Sequence, residues 1–172
     1  MSGFLQWITA VLGDRAPTSR TRLAEVVNSA LPEADDEARR LVVAVAGLLA
    51  TVAYADREYS GAEEERIVQE LSRVEGLGHR GVEAIRGVLR EQILTIATVE
   101  APIYARELCA LADQAFRREL LDALIDIAAA DNEITIAETN VLRATTTALG
   151  LTQSDFNTSQ ARHRDKLRIL RK

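Results

Sequence analysis

The chain predicts an all-α fold, on three observations. No segment alternates apolar and polar residues with period two over a useful length. Apolar residues recur instead at spacings of three and four through most of the sequence. Only three prolines and nine glycines interrupt 172 residues, so turns are few and elements are long. The expectation is a single-domain bundle of roughly eight helices of ordinary length, with two internally repeated helical hairpins.

Phe4, Leu5, Ile8, Val11 and Leu12 follow helical spacing, and Gly13 and Pro17 end that helix. Leu23, Val26, Val27, Ala30 and Leu31 make a second short helix stopped by Pro32. Acidic Glu33, Asp35, Asp36 and Glu37 then open a long helix to about residue 55, where first-turn acids suit the positive end of the helix dipole. Its interior, from Leu41 to Ala53, is apolar nearly all round and reads as a buried central helix. A helix follows over about 61–74, and Gly76-Leu77-Gly78 breaks the chain. Val82, Ile85, Val88, Leu89 and Ile93 mark the next helix, and Thr98 to Pro102 reads as a turn. Helices are then expected over about 103–115 and 118–130, and another ends near Leu149-Gly150-Leu151. Thr152-Gln153-Ser154-Asp155 starts a last helix that carries the chain to a basic end.

Composition narrows the class. Apolar residues make up 47% of the chain, but aromatics only 4%, so Ala and Val do much of the packing and helices can approach closely. The one cysteine, Cys109, excludes a disulfide framework within the chain and fits a reducing compartment. Its apolar-periodic setting predicts a buried structural thiol. No basic region precedes an apolar run at the start, and the Leu41–Ala55 run is too short to span a membrane, so a cytoplasmic protein is expected. The net charge of −5 is unevenly placed. Residues 162–172 carry six Lys and Arg against one Asp, and the rest of the chain carries 15 against 25. Both lysines, Lys166 and Lys172, lie in that basic end.

One short phrase is written twice, 75 positions apart. The first copy runs from Ala55-Asp56-Arg57-Glu58-Tyr59 to Ser60-Gly61-Ala62-Glu63, and the second from Ala130-Asp131-Asn132-Glu133-Ile134 to Thr135-Ile136-Ala137-Glu138. The match extends outward, with Leu49 over Leu124, Ala53 over Ala128 and Ile67 over Leu142. Such a match suggests a repeated structural unit. Ser60 with Glu63, and Thr135 with Glu138, fit the capping box, in which hydroxyl and carboxylate each satisfy an exposed backbone N–H. Losing such a cap costs about 1 kcal/mol, so Thr135→Ala should cost more than a change at a surface position such as Arg90.

Asp56 and Asp131 are less comfortable, because each falls at the end of an apolar helix where the dipole opposes a negative group. Compensation can come from backbone N–H groups in an Asx-turn, from an arginine, or from a cation held by carboxylates and a turn carbonyl. Turn-and-cap chemistry accounts for the spacing without a ligand. The alternative is a divalent cation, Ca²⁺ or Mg²⁺, on Asp131, Glu138, Asp56 and Glu63. The twelve-residue EF-hand loop is absent, and His79, His163 and Cys109 are too scattered for a structural zinc site.

The phrase Ala-Asp-x-x-Ile-Thr-x-x-Glu, followed by an apolar helix and Leu149-Gly150-Leu151-Thr152, resembles the TerB-like family, named for tellurite resistance proteins. A related domain occurs in certain membrane-anchored DnaJ co-chaperones. The resemblance covers roughly residues 39–156 and is clearest over 120–156. It implies an all-helical domain with a duplicated acidic phrase, a tellurite or stress-response role, association with metal ions and no known catalytic reaction. The family pattern places Gly directly after Asp, whereas this chain has Arg57 and Asn132. Asn tolerates the left-handed conformation better than Arg, so the first turn is expected to differ in shape and the second to be the better ligand site.

No phosphate-binding glycine loop, nucleophile elbow or His-Glu-x-x-His is present, and Asp122 with Asp126 reads as a solvated face rather than a catalytic pair. The acidic body and the scarcity of aromatics argue against nucleic acid. The basic end offers a peripheral contact with anionic lipid, but complementing the C-terminus of the last helix is its simpler role. The organisation expected is N-terminal helices over 1–38 packed on the body, a TerB-like helical domain over 39–161 and a basic helix end over 162–172. The functional expectation is a non-enzymatic binding or scaffold module, with or without a cation, that has a protein partner. The alternative is a pure protein–protein interaction module, and an enzyme using acid pairs ranks last.

Overall fold

The computed structural model describes residues 21–131 and 133–166. The expected helix over Phe4–Leu12, the Asn132 position and the tail beyond Lys166 lie outside the described residues.

Among the described residues, eight α-helices follow one another: α1 (Arg22–Ala30), α2 (Asp36–Ala53), α3 (Gly61–Leu71), α4 (Gly78–Thr95), α5 (Ala101–Leu111), α6 (Gln114–Ala128), α7 (Ile136–Ala148) and α8 (Gln153–Gln160). No strand occurs among the described residues. Most helix starts are chemically explicit. Thr21, Asp35, Ser60, Asp113, Thr135 and Thr152 each accept a backbone N–H from the first turn of the helix that follows. Each satisfies one donor that the helix itself cannot. Gly150 adopts φ of +66° just past the end of α7, and Gly76 takes +81° in the turn between α3 and α4, both conformations that suit glycine.

The central element is α2, whose residues 42–53 are all buried. It packs against α1, α3, α5, α6 and α7. Close approach is built into the sequence at Gly47, where a Cβ would overlap the ring of Tyr104 on α5. The positions that match across the two phrases are core positions in both copies: Leu49 and Leu124, Ala53 and Ala128, and Ile67 and Leu142 are no more than 1% exposed. The first phrase joins α2 to α3 and the second joins α6 to α7, with α6 lying against both α2 and α3.

Four expectations need correction. The stretch expected to turn at Thr98–Pro102 instead forms a π-helical turn, Ile96–Glu100, that carries α4 into α5. Pro102 sits in the first turn of α5, where its missing N–H costs nothing. The boundary between α5 and α6 falls earlier than expected because Asp113 caps α6, its Oδ1 accepting the Phe116 N–H at 2.8 Å. Cys109 is exposed rather than buried, its Sγ donating to the Ala148 carbonyl at the end of α7 at 3.2 Å. Finally, Arg90 is no bystander. It donates two hydrogen bonds to the buried carboxylate of Glu64, where Arg86 joins it at 3.1 Å. These guanidinium groups hold the Glu64 carboxyl down to about 2.

Candidate acidic site

Both copies of the phrase fold as reciprocal capping boxes. In the first, Ser60 N–H donates to Glu63 Oε2 at 2.8 Å and Glu63 N–H to Ser60 Oγ at 3.2 Å. In the second, Thr135 N–H donates to Glu138 Oε2 at 2.6 Å and Glu138 N–H to Thr135 Oγ1 at 3.1 Å. Both glutamates are buried, at 4% and 2% exposed.

The aspartates resolve their conflict with the helix dipole locally. Asp56 Oδ1 accepts the Glu58 N–H at 2.9 Å, and Asp131 Oδ1 accepts the Glu133 N–H at 3.3 Å. These are the Asx-turn bonds that the sequence offers as one of three compensations. Arg57 takes φ of 70°, the left-handed conformation that glycine would occupy, and its N–H closes the turn on the Tyr54 carbonyl at 3.0 Å. The first turn therefore keeps a glycine-type backbone at Arg57 and carries the steric cost, contrary to the expectation of a different shape.

The structure brings charges from the two copies together. Burial raises the carboxyl of Glu63 from 4.5 to about 7, with Glu138 and Asp56 adding to the rise. Burial also raises that of Glu138, with Asp131 and Asp56 adding. In each case the capping bonds oppose the rise without cancelling it. Asp56 thus acts on both glutamates, and two sequence-distant phrases share one electrostatic problem.

Carboxylate oxygens are the kind of donor that a hard divalent cation takes. Each cap uses Oε2 and each turn uses Oδ1, so every carboxylate has a second oxygen outside those bonds. A ready-made cage is not present: among the described residues, no group of three or more His, Cys, Asp and Glu side chains is placed to hold a metal ion.

Asp122 and Asp126, read from the sequence as a solvated face, are ion-paired. Asp126 meets Arg66 at 3.0 Å and His163 Nε2 at 2.7 Å, and Asp122 meets Arg162 at 3.1 Å. Beside them an open cavity of about 400 Å³ lies between α3, the end of α6 and the segment after α8. That segment, Ala161–Lys166, is a 3₁₀ turn. Its lysine complements the C-terminal end of α6 rather than that of the last helix, with Lys166 Nζ donating to the Ala129 carbonyl at 2.9 Å. Sequence reading missed this contact because residues 129 and 166 are brought together only by the tertiary fold.

The family model described as tellurite resistance protein TerB matches residues 42–161. The chain belongs to the TerB family. The matched TerB region runs from within α2 to the end of α8 and contains both capping boxes. Comparison with curated proteins gives no match, and comparison with solved structures gives none either. No helix among the described residues is long and apolar enough to cross a membrane.

Proposed function

We propose that this chain is a non-enzymatic, cytoplasmic TerB-type helical module that serves tellurite or stress response as a binding or scaffold unit, taking Ca²⁺ or Mg²⁺ at its paired acidic turns. One observation carries the reading: two buried capping glutamates, from separate copies of one phrase, hold their protons more tightly than free carboxyls, chiefly through burial, with repulsion from Glu138 and Asp56 adding at Glu63 and from Asp131 and Asp56 adding at Glu138. A proton or a divalent ion relieves that repulsion, and at neutral pH the ion does so without protonating a cap. Asp56 and Asp131, on the more accessible edge, make first contact, and Glu63 and Glu138 supply the field behind them. The test is calorimetric titration with Ca²⁺, Mg²⁺, Mn²⁺ and Zn²⁺, repeated on Asp56→Ala/Asp131→Ala. Wild type is expected to bind Ca²⁺ or Mg²⁺ and the double variant to lose that binding. Absence of binding together with absence of a thermal shift removes the cation reading.

A second reading, a protein–protein interaction module without metal, is favoured by a specific observation. Each of the four carboxylates already serves a backbone N–H, so each has a structural use. Leu94, Val99 and Ile136 are large apolar side chains left exposed, suited to a protein partner. This reading stands if the titrations are silent.

A further inference from the structure

A groove of about 540 Å³ opens where the loop from α1 to α2 meets the turn from α3 to α4. Buried Leu31 and Ala38 form its floor. Gly76 adds no side chain above them, and a Cβ there would meet Leu31 Cδ2 at 3.5 Å. Three acids line the groove, Glu33, Asp35 and Glu75, and no Lys, Arg or His does among the described residues. Asp35 already serves as the cap of α2, accepting the Ala38 N–H at 2.7 Å. Glu33 and Glu75 are exposed, one on each of the two connections. The groove also lies at the C-terminal end of α1, the negative end of that helix's dipole. An apolar floor under an acidic rim fits a segment that interleaves aliphatic and basic side chains.

The chain carries such a segment. Residues 167–172 place Leu167, Ile169 and Leu170 among Arg168, Arg171 and Lys172. Reach decides whose groove it meets. Lys166 is tied to Ala129 and Ile134, and it shares a cavity with Ala62 in the first turn of α3. The groove lies past the far end of that helix, whose 11 residues span about 16 Å. Ile169 and Leu170, at most four residues beyond Lys166, extend no further than about 14 Å. Their own groove is out of range, and that of a neighbouring molecule is not. We propose that the groove seats residues 167–172 of a second copy of this chain, aliphatic side chains on the floor and basic ones at the rim. The contact uses neither acidic turn, so it stands independently of the cation reading. Association is driven by both burial and charge, so it rises with protein concentration and falls with salt.

The test is sedimentation of the full chain at low salt over a wide range of concentration. Wild type is expected to grow in mass as concentration rises. Arg168→Glu/Arg171→Glu reverses the charge of the segment, and Glu33→Lys/Glu75→Lys reverses that of the rim. Each variant alone is expected to associate about tenfold more weakly or worse, and an equal mixture of the two to regain association. Ile169→Ser/Leu170→Ser keeps every basic side chain and is expected to weaken association as well, which charge attraction alone would not do. A wild-type mass that stays at one chain throughout overturns the proposal and leaves the groove to docking within one molecule or to another protein. Association that survives either change in the segment places the contact elsewhere and overturns it too, as does a mixture that stays apart. If Glu33→Lys/Glu75→Lys fails to fold, judged by its melting curve, the two segment variants decide, since neither changes a residue of the helical body: loss in both supports the contact and retention in either overturns it.

Discussion

Replacing Glu63 by Gln separates the cap from the charge. Gln at the third helical position can still accept the Ser60 N–H, so the capping box survives. What disappears is a carboxylate whose proton affinity folding raises from 4.5 to about 7. A group with a raised folded value stabilises the fold fully below its unfolded value, and that contribution is lost as pH climbs through the folded one. The window therefore runs from about 4.5 to 7. Each tenfold change in proton affinity is worth about 1.4 kcal/mol, so the full difference approaches about 3 kcal/mol by pH 8. At pH 4 wild-type Glu63 is protonated and resembles Gln, so the two proteins should have similar stability. At pH 8 Glu63→Gln should be more stable by about 2–3 kcal/mol, or several degrees in melting temperature. Urea unfolding at pH 4, 6 and 8 in the presence of a chelator measures this directly. A variant that is less stable than wild type at pH 8, or a difference that does not change between pH 4 and 8, refutes the assignment of a strained carboxylate. Restoring Ca²⁺ at pH 8 should narrow the gap if an ion relieves the same repulsion.

The other predictions concern backbone and packing. Arg57→Gly should stabilise the protein by about 0.5–1 kcal/mol in chemical denaturation, because left-handed geometry costs a side-chain residue about 1–2 kcal/mol and glycine's extra unfolded-state freedom returns part of it. Gly47→Ala should destabilise by roughly 2 kcal/mol or more, since the new methyl meets the Tyr104 ring against a fully buried helix, and a melting temperature equal to wild type would exclude that close packing. Thr135→Ala should cost about 1 kcal/mol, and the proper reference is exposed Arg80 rather than Arg90. Arg90→Ala should itself be destabilising by about 1–3 kcal/mol, because it strips a buried carboxylate of two donors.

The all-α class, the buried α2 and both capping boxes were legible because each is written in local pattern: apolar period, hydroxyl at the cap, carboxylate three residues on. The Asx-turns were legible as one of three options, since a short side chain and a nearby N–H are also local. What stayed hidden depends on contacts between distant residues. Arg90 and Cys109 were misplaced because helical period alone does not say which flank of a helix meets a neighbour. Arg90 reaches across to Glu64 on α3, and Cys109 falls on the outer edge of α5. The π-helical turn was read as a break because Thr, Val and Pro disfavour a helix interior, yet Pro102 is placed where a new helix begins. Likewise, nothing local announces that Glu63 and Glu138 share a field.

The two copies, alike in capping, diverge in what surrounds them. At the first, a left-handed arginine closes the turn and Asp56 lies within reach of both glutamates. At the second, the aspartate is more exposed and a lysine from 37 positions downstream covers the end of the preceding helix. A capping box needs only one hydroxyl and one carboxylate, so retaining it in both copies requires no ligand. Burying two such carboxylates beside further acids is a different matter, because either cap would work as well with Gln and without repulsion. Two glutamines would give the same helix starts and a flatter pH profile. Charge at these positions is thus a stability cost that the caps do not explain, and the cation titration and the Glu63→Gln profile measure that cost from opposite sides.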